Sequence, residues 1–146
     1  MNFYTNRDHG FFLKYPVATP SFPEGWEELT PAKDAVLHIG GPIAQMQVFI
    51  REIEAGTSLD GYVASIKEGY SFWQPEFEQE QTRDVGLGIK GQVMAFTLNL
   101  ESSERMKLLV VVRGTKALVF AATAPTILFS EAQRHIDLIL NSVGLI

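Results

Sequence analysis

The side chains best suited by type to catalysis or metal binding are three histidines, a short row of glutamates and scattered serines. A zinc site needs imidazoles brought together, as an HExxH helix does by setting two of them one turn apart. Here His9 precedes Gly10 in a turn, His38 falls in an apolar strand and His135 in a helix, and no such spacing joins them. His38 reads as a hydrogen-bonded structural residue and His9 as a turn residue. Glu76, Glu78 and Glu80 alternate and so share one strand face. A glycosidase pair instead faces across a cleft, in surroundings that split the two pKa values, so this row reads as a solvated edge. Ser65, Ser71, Ser102 and Ser103 lack the glycine-flanked turn of an activated nucleophile. Gly86, Gly88 and Gly91 are not followed by Lys-Ser or Lys-Thr at a helix start, which a phosphate loop requires. With no cysteine there is no disulfide, thiolate metal site or thiol nucleophile. The chain reads as non-enzymatic, with no catalytic residue, cofactor or metal ligand assigned.

Aromatic residues give a stronger lead. Tyr70, Phe72, Trp73, Pro75 and Phe77 crowd the exit of the first predicted helix, and Trp26 stands in a proline-rich loop among Glu24, Glu27 and Glu28. Large aromatics serve either as core plugs or as interface anchors. Trp26, Phe72 and Trp73 are therefore candidate partner contacts, and the two tryptophans, if exposed side by side, would form a binding patch with an acidic rim. Arg105, Lys107, Arg113 and Lys116 gather around the last predicted hairpin. Charges at strand ends protect sheet edges; the other reading is a docking patch for an acidic partner, with Arg105 and Lys107 as its contacts. A net charge of −5 disfavours nucleic acid as the partner.

The elements that must carry these residues follow from periodicity. On one side of Gly114-Thr115, Met106, Leu108, Val110 and Val112 alternate with Lys107, Leu109, Val111 and Arg113. On the other, Leu118, Phe120 and Ala122 alternate with Ala117, Val119 and Ala121. Successive strand side chains leave opposite faces, so this hairpin is apolar on both and predicts a covering layer on each. From Phe129 the period lengthens to that of a helix through Ala132, Ile136, Leu140 and Val143, with Ser130 and Gln133 as a predicted capping box. Leu59, Val63, Ile66, Tyr70 and Trp73 predict an earlier helix capped by Thr57 or Ser58. Shorter strands are predicted at Phe11–Tyr15, at Ala35–Ile39 and Gln45–Ile53 around Gly40-Gly41-Pro42, along the polar stretch from Phe77 to Val85, and from Ile89 to Leu100. Pro20, Pro23 and Pro31 make residues 17 to 31 a long loop, with a short strand at Trp26 to Leu29 as the alternative.

The 146 residues, 46% hydrophobic and 20% charged, fit one globular domain over 1–146. The predicted fold class is α/β of the α+β kind: an α/β/α sandwich with a central, mostly antiparallel sheet of about six or seven strands and two main helices, at about 58–73 and 127–142. His9-Gly10-Phe11 with Tyr15-Pro16, the Thr57-Ser58-Leu59-Asp60 helix start, the Gly91 strand, and Phe129 with Ile139-Leu140-Asn141-Ser142 together resemble the PsbP-like and Mog-type superfamily. The resemblance spans nearly the whole chain, though that superfamily tends to close on Ser-Phe where this chain has Ser142-Val143. Its members include an extrinsic photosystem II protein, a nuclear-import factor that binds the GTPase Ran, bacterial lipoproteins and chaperones for secreted toxins. The resemblance implies a bacterial, non-catalytic protein-binding or assembly module, in one form the soluble part of an exported lipoprotein. The alternatives are a chaperone-like domain, dimeric, that shelters an apolar segment of a client along an open trough, and a small-ligand binder or enzyme, for which few converging polar groups exist. No apolar run approaches the roughly 20 residues of a membrane span, and Asn2 to Phe12 do not form a signal peptide. A removed export signal or lipid anchor stays compatible with the sequence, which leaves the compartment open.

Overall fold

The computed structural model describes residues 1–17, 25–78, 81–99 and 102–146. In chain order its strands are β1 (Asn2–Asn6), β2 (Phe11–Tyr15), β3 (Glu27–Glu28), β4 (Ala35–Gly40), β5 (Gln45–Glu52), β6 (Gln81–Asp84), β7 (Lys90–Asn99), β8 (Ser103–Arg113), β9 (Lys116–Pro125) and β10 (Gly144–Leu145). The helices are α1 (Leu59–Gly69), between β5 and β6, and α2 (Phe129–Ser142), between β9 and β10.

The β8–β9 hairpin organises the rest. Gly114 turns it at φ 63°, a left-handed conformation that glycine adopts at no steric cost. The register runs from Glu104 opposite Pro125 to Arg113 opposite Lys116. Leu109, Val111, Leu118 and Phe120 leave one face and Leu108, Val110, Val119 and Ala121 the other, and each set joins a separate apolar cluster. Further strands add antiparallel on both flanks, giving a seven-stranded sheet of order β3-β4-β5-β9-β8-β7-β6.

One face of that sheet is largely covered. Helix α2 turns Phe129, Ala132, Ile136, Ile139 and Leu140 onto it, at the three- and four-residue steps that keep side chains on one helical stripe. Beside α2 lies a small sheet of order β1-β2-β10, which delivers Phe11, Leu13 and Tyr15 to the same core. The Phe11 ring meets Phe120 edge to face at 5.3 Å. A Cβ at Gly144 would overlap the Phe12 ring of the neighbouring strand β2. Arg83 of β6 caps the far end of α2: its guanidinium donates to the carbonyls of Leu140, Asn141 and Val143, the last two at 2.7 and 3.2 Å. The Leu140 carbonyl also accepts the Val143 N–H at 3.3 Å, and all three carbonyls lie at the negative end of the helix dipole, where a cation suits them. Burial lowers the Arg83 pKa below its usual value, yet a guanidinium stays charged.

The opposite face carries α1. Ser58 caps it, its Oγ accepting from the Gly61 N–H at 3.0 Å. Val63 is buried, with Ile66 and Tyr70 packed alongside, against Met94, Phe96, Leu108 and Val110. Helix α1 packs on β7 and β8.

Several boundaries differ from the sequence expectation. The helix predicted over 58–73 ends at Gly69, and Ser71–Trp73 form a separate 3₁₀ turn closed by Gln74 at φ 48°. The helix predicted over 127–142 starts at Phe129 behind a 3₁₀ turn of Thr126–Leu128, in which Phe129 N–H bonds to Thr126 O. The Ser130–Gln133 capping box does not form; the N-cap is Leu128, with no side-chain cap. Trp26–Leu29 shrinks to β3, with Trp26 in an isolated parallel bridge to Val17. Of the predicted Phe77–Val85 strand, Phe77 bridges Phe96 and β6 pairs with β7, while Gln79 and Glu80 lie outside the described residues. Leu100 and the loop residues 18–24 also lie outside them. Strands β1 and β10 were not predicted.

Candidate functional site

A helix about 10 Å across covers about two strands spaced 4.8 Å apart. Helix α1 therefore roofs β7 and β8, and over the same face of β9 and β5 the described residues leave an open trough of about 530 Å³. Its floor follows from strand alternation. The β9 residues Val119, Ala121 and Thr123 lie opposite Phe49, Gln47 and Gln45 of β5 in register, and Met106 and Leu108 of β8 continue the floor beneath α1. One wall is the flank of α1, with Tyr62, Ile66 and Gly69, continued by Tyr70 and Trp73.

The trough is apolar apart from the β5 row and Thr123. Arg51, exposed at one end of that row, is the single charged residue lining it, and its guanidinium lies 4.9 Å from the centre of the Phe49 ring. Gln47 Oε1 is buried without a hydrogen-bond partner, a state that costs free energy unless something donates to it. Burial raises the pKa of the Tyr70 phenol. It raises that of Tyr62 as well, against the opposing effect of the Arg51 charge. At the mouth, the 3₁₀ turn after α1 lifts Phe72 and Trp73 outward, 85% and 44% exposed, with their rings edge to face at 5.5 Å. Trp73 leans in turn on Tyr70, at 6.1 Å.

Of the sequence-predicted contacts, Phe72 and Trp73 meet at this mouth and the other three do not. Trp26 is 1% exposed and belongs to the opposite core. Its indole N–H donates to His135 Nδ1 at 3.3 Å, and the ring lies so close to Gly41 that a Cβ there would come within 3.0 Å. The exposed two-tryptophan patch is thus corrected: the rings sit on different sides of the sheet. Arg105 and Lys107 also project to the α2 side. Arg105 pairs with Glu78 and lies over the Phe129 ring at 5.0 Å, and Lys107 pairs with Asp137 of α2. Both cations fasten α2 and its surroundings to the sheet.

Gln47, Phe49, Arg51, Tyr62 and Ile66 are among the trough residues that the sequence reading does not single out as contacts. A signal for them existed, because Gln45, Gln47 and Arg51 alternate with Met46, Val48 and Ile50, and such alternation marks a strand with one face in water. The expected roof over both faces is accordingly fuller on the α2 side, where a smaller cleft of about 270 Å³ remains between α2 and the β4–β5 turn, than on the α1 side. His38 is hydrogen-bonded as expected, with Nε2 2.7 Å from Gln45 Oε1 and Nδ1 3.3 Å from Thr30 O. His9 occupies the turn before Gly10, its N–H donating to Asn6 Oδ1 at 3.0 Å. Among the described residues no three His, Cys, Asp or Glu side chains gather in a way that could hold a metal ion.

No protein-family model matches the chain, and no curated protein matches it in sequence. Solved structures do match it in shape. The cyanobacterial PsbP (CyanoP) of Synechocystis sp. PCC 6803 superposes with a TM-score of 0.67 at 16% identity, over 99% of this chain and 92% of that one. LpqN of Mycobacterium tuberculosis, described as involved in cell envelope biogenesis, gives 0.64 at 14% identity, over 93% and 84%. A Pseudomonas aeruginosa protein of unknown function, described as a putative regulator, gives 0.55 at 12% identity, over 75% and 73%. Likenesses at such identities establish architecture alone: the chain has a PsbP-like α+β fold.

Proposed function

We propose that this chain is a non-enzymatic protein-binding module of a single domain, and that its contact surface is the open trough with the Phe72–Trp73 mouth. The observation that carries this reading is the contrast in exposure. Two large aromatics stand out at the end of an apolar floor that α1 leaves uncovered, and exposed apolar ground rimmed by polar groups marks interaction sites. Aromatic residues at such positions are the usual energetic anchors of an interface. The edges of the large sheet are poorer candidates, since β3 has two residues, both Glu, and β6 four, ending on Arg83 and Asp84; short, charged edges resist strand addition.

An accessory role agrees with the company the fold keeps: one structural neighbour is a PsbP and another takes part in cell envelope biogenesis. Placement in the wider PsbP-like and Mog-type superfamily, and an exported or envelope-associated setting, belong to the same proposal. A chaperone-like role, in which the trough shelters an apolar segment of a client, is favoured by the same uncovered floor. The test is affinity capture from native lysate with wild-type chain and the Phe72→Ser/Trp73→Ser double variant. The double variant loses partners that the wild type retains. An identical set of partners on both would overturn the assignment of the surface.

A further inference from the structure

Building on the trough as contact surface, we infer that its occupant is one amphipathic α-helix of a partner protein, lying beside α1 over β9 and β5 with a carboxylate against Arg51. Packed helices run 8–10 Å apart, which is two strand spacings. A helix set beside α1, itself over β7 and β8, thus has its axis over the vacant pair of strands. The α1 wall already carries a stripe for it: Tyr62, Ile66 and Gly69 follow the i, i+4, i+7 spacing of one helical face. Along β5, from Gln45 to Arg51, the trough is about 20 Å long, the length of about 13 helical residues.

Backbone chemistry selects a helix over an extended segment. The floor is a sheet face, not an edge, and the main-chain groups of β5 and β9 are already bonded to one another. A strand laid on it would leave its own N–H and C=O groups unpaired, whereas a helix pairs them internally. Side-chain chemistry then fixes the helix's character. Val119, Ala121 and Leu108 ask for an apolar stripe, and Arg51 for an acid at one end.

The test pans displayed random 16-residue peptides on the full chain. Gly69→Arg is the blocking variant, because a Cβ at that position meets nothing within 4 Å, so the side chain enters open space. Thr123→Arg is a second blocker, and circular dichroism with thermal melting confirms that both fold. The recovered peptides carry apolar residues at i, i+4 and i+7, turn helical on binding, and bind both blocked variants at least about tenfold more weakly. Arg51→Glu weakens acidic peptides about fivefold or more and restores binding to their Glu→Lys versions. Peptides that bind the blocked variants equally well would overturn the trough as contact surface. Blocked peptides that bind in extended form, or with no response to Arg51→Glu, would overturn the helix alone. So would failure to recover any peptide, dodecanoate quenching Trp73 emission in wild type but not in Gly69→Arg, or self-association that Gly69→Arg abolishes; the last two put a lipid or a second copy in the trough.

Discussion

The two faces of the large sheet are made by the same strands and finished differently. On the α2 side, a long helix and a second small sheet bury Phe11, Leu13, Phe120 and Ile136 completely. On the other, α1 alone seals β7 and β8, and Phe49 and Val119 remain only partly covered. Cohesion is therefore concentrated on one side and access on the other. A burial of about 1.5–3 kcal/mol per large apolar side chain makes this asymmetry a division between holding the fold and meeting a partner.

That division predicts a graded series of effects. The largest is Phe120→Ala, which opens a cavity against Phe11 and should lower unfolding free energy in urea by about 3–5 kcal/mol. Phe49→Ala, one strand away on the open side, should cost less than half as much; equal losses would erase the distinction. Next is Arg83→Met, which removes the guanidinium donor from the carbonyls of Leu140, Asn141 and Val143 at the end of α2 and should cost about 2 kcal/mol by the same measurement. A smaller effect comes from pH. Tyr62 and Tyr70 hold their protons more tightly folded than unfolded. Above the unfolded phenol value of about 10, the unfolded chain binds fewer protons, so stability falls as pH rises. The double variant Tyr62→Phe/Tyr70→Phe should flatten this alkaline limb, and an unchanged limb would place its origin elsewhere. Smallest of all, Phe72→Ser should shift stability by no more than about 0.5 kcal/mol while weakening partner capture. A large loss of stability would move Phe72 into the supporting structure.

What the chain discloses by itself follows the reach of its interactions. The β8–β9 hairpin and the body of α2 are readable because their period is local and strong. Strand β10 is two residues long, with no period to read, and exists because Phe12 and Phe11 stand opposite it. The apolar steps of the first helix continue in sequence through Gly69 to Trp73, although the backbone changes to a 3₁₀ turn at Ser71–Trp73. That change is what turns Phe72 and Trp73 outward. Trp26 stands among acidic neighbours in the sequence, yet Glu27 and Glu28 face water while its own ring is buried against His135. The trough itself depends on which strands α1 lies across. That is set by sheet order and helix placement, beyond any window of sequence.

Strand β2 pairs on one side with β1 a few residues before it and on the other with β10, whose partners in register are Gly144 opposite Phe12 and Leu145 opposite Phe11. While the chain is being translated, residues 11–15 thus emerge some 130 residues ahead of that second partner. Their apolar side chains have neither α2 nor β10 to rest on until residues 129–145 have emerged. Such distant pairing slows folding and prolongs the interval in which nascent chains stick to one another. The nascent chain should therefore stay a client of ribosome-associated holdases until β10 arrives.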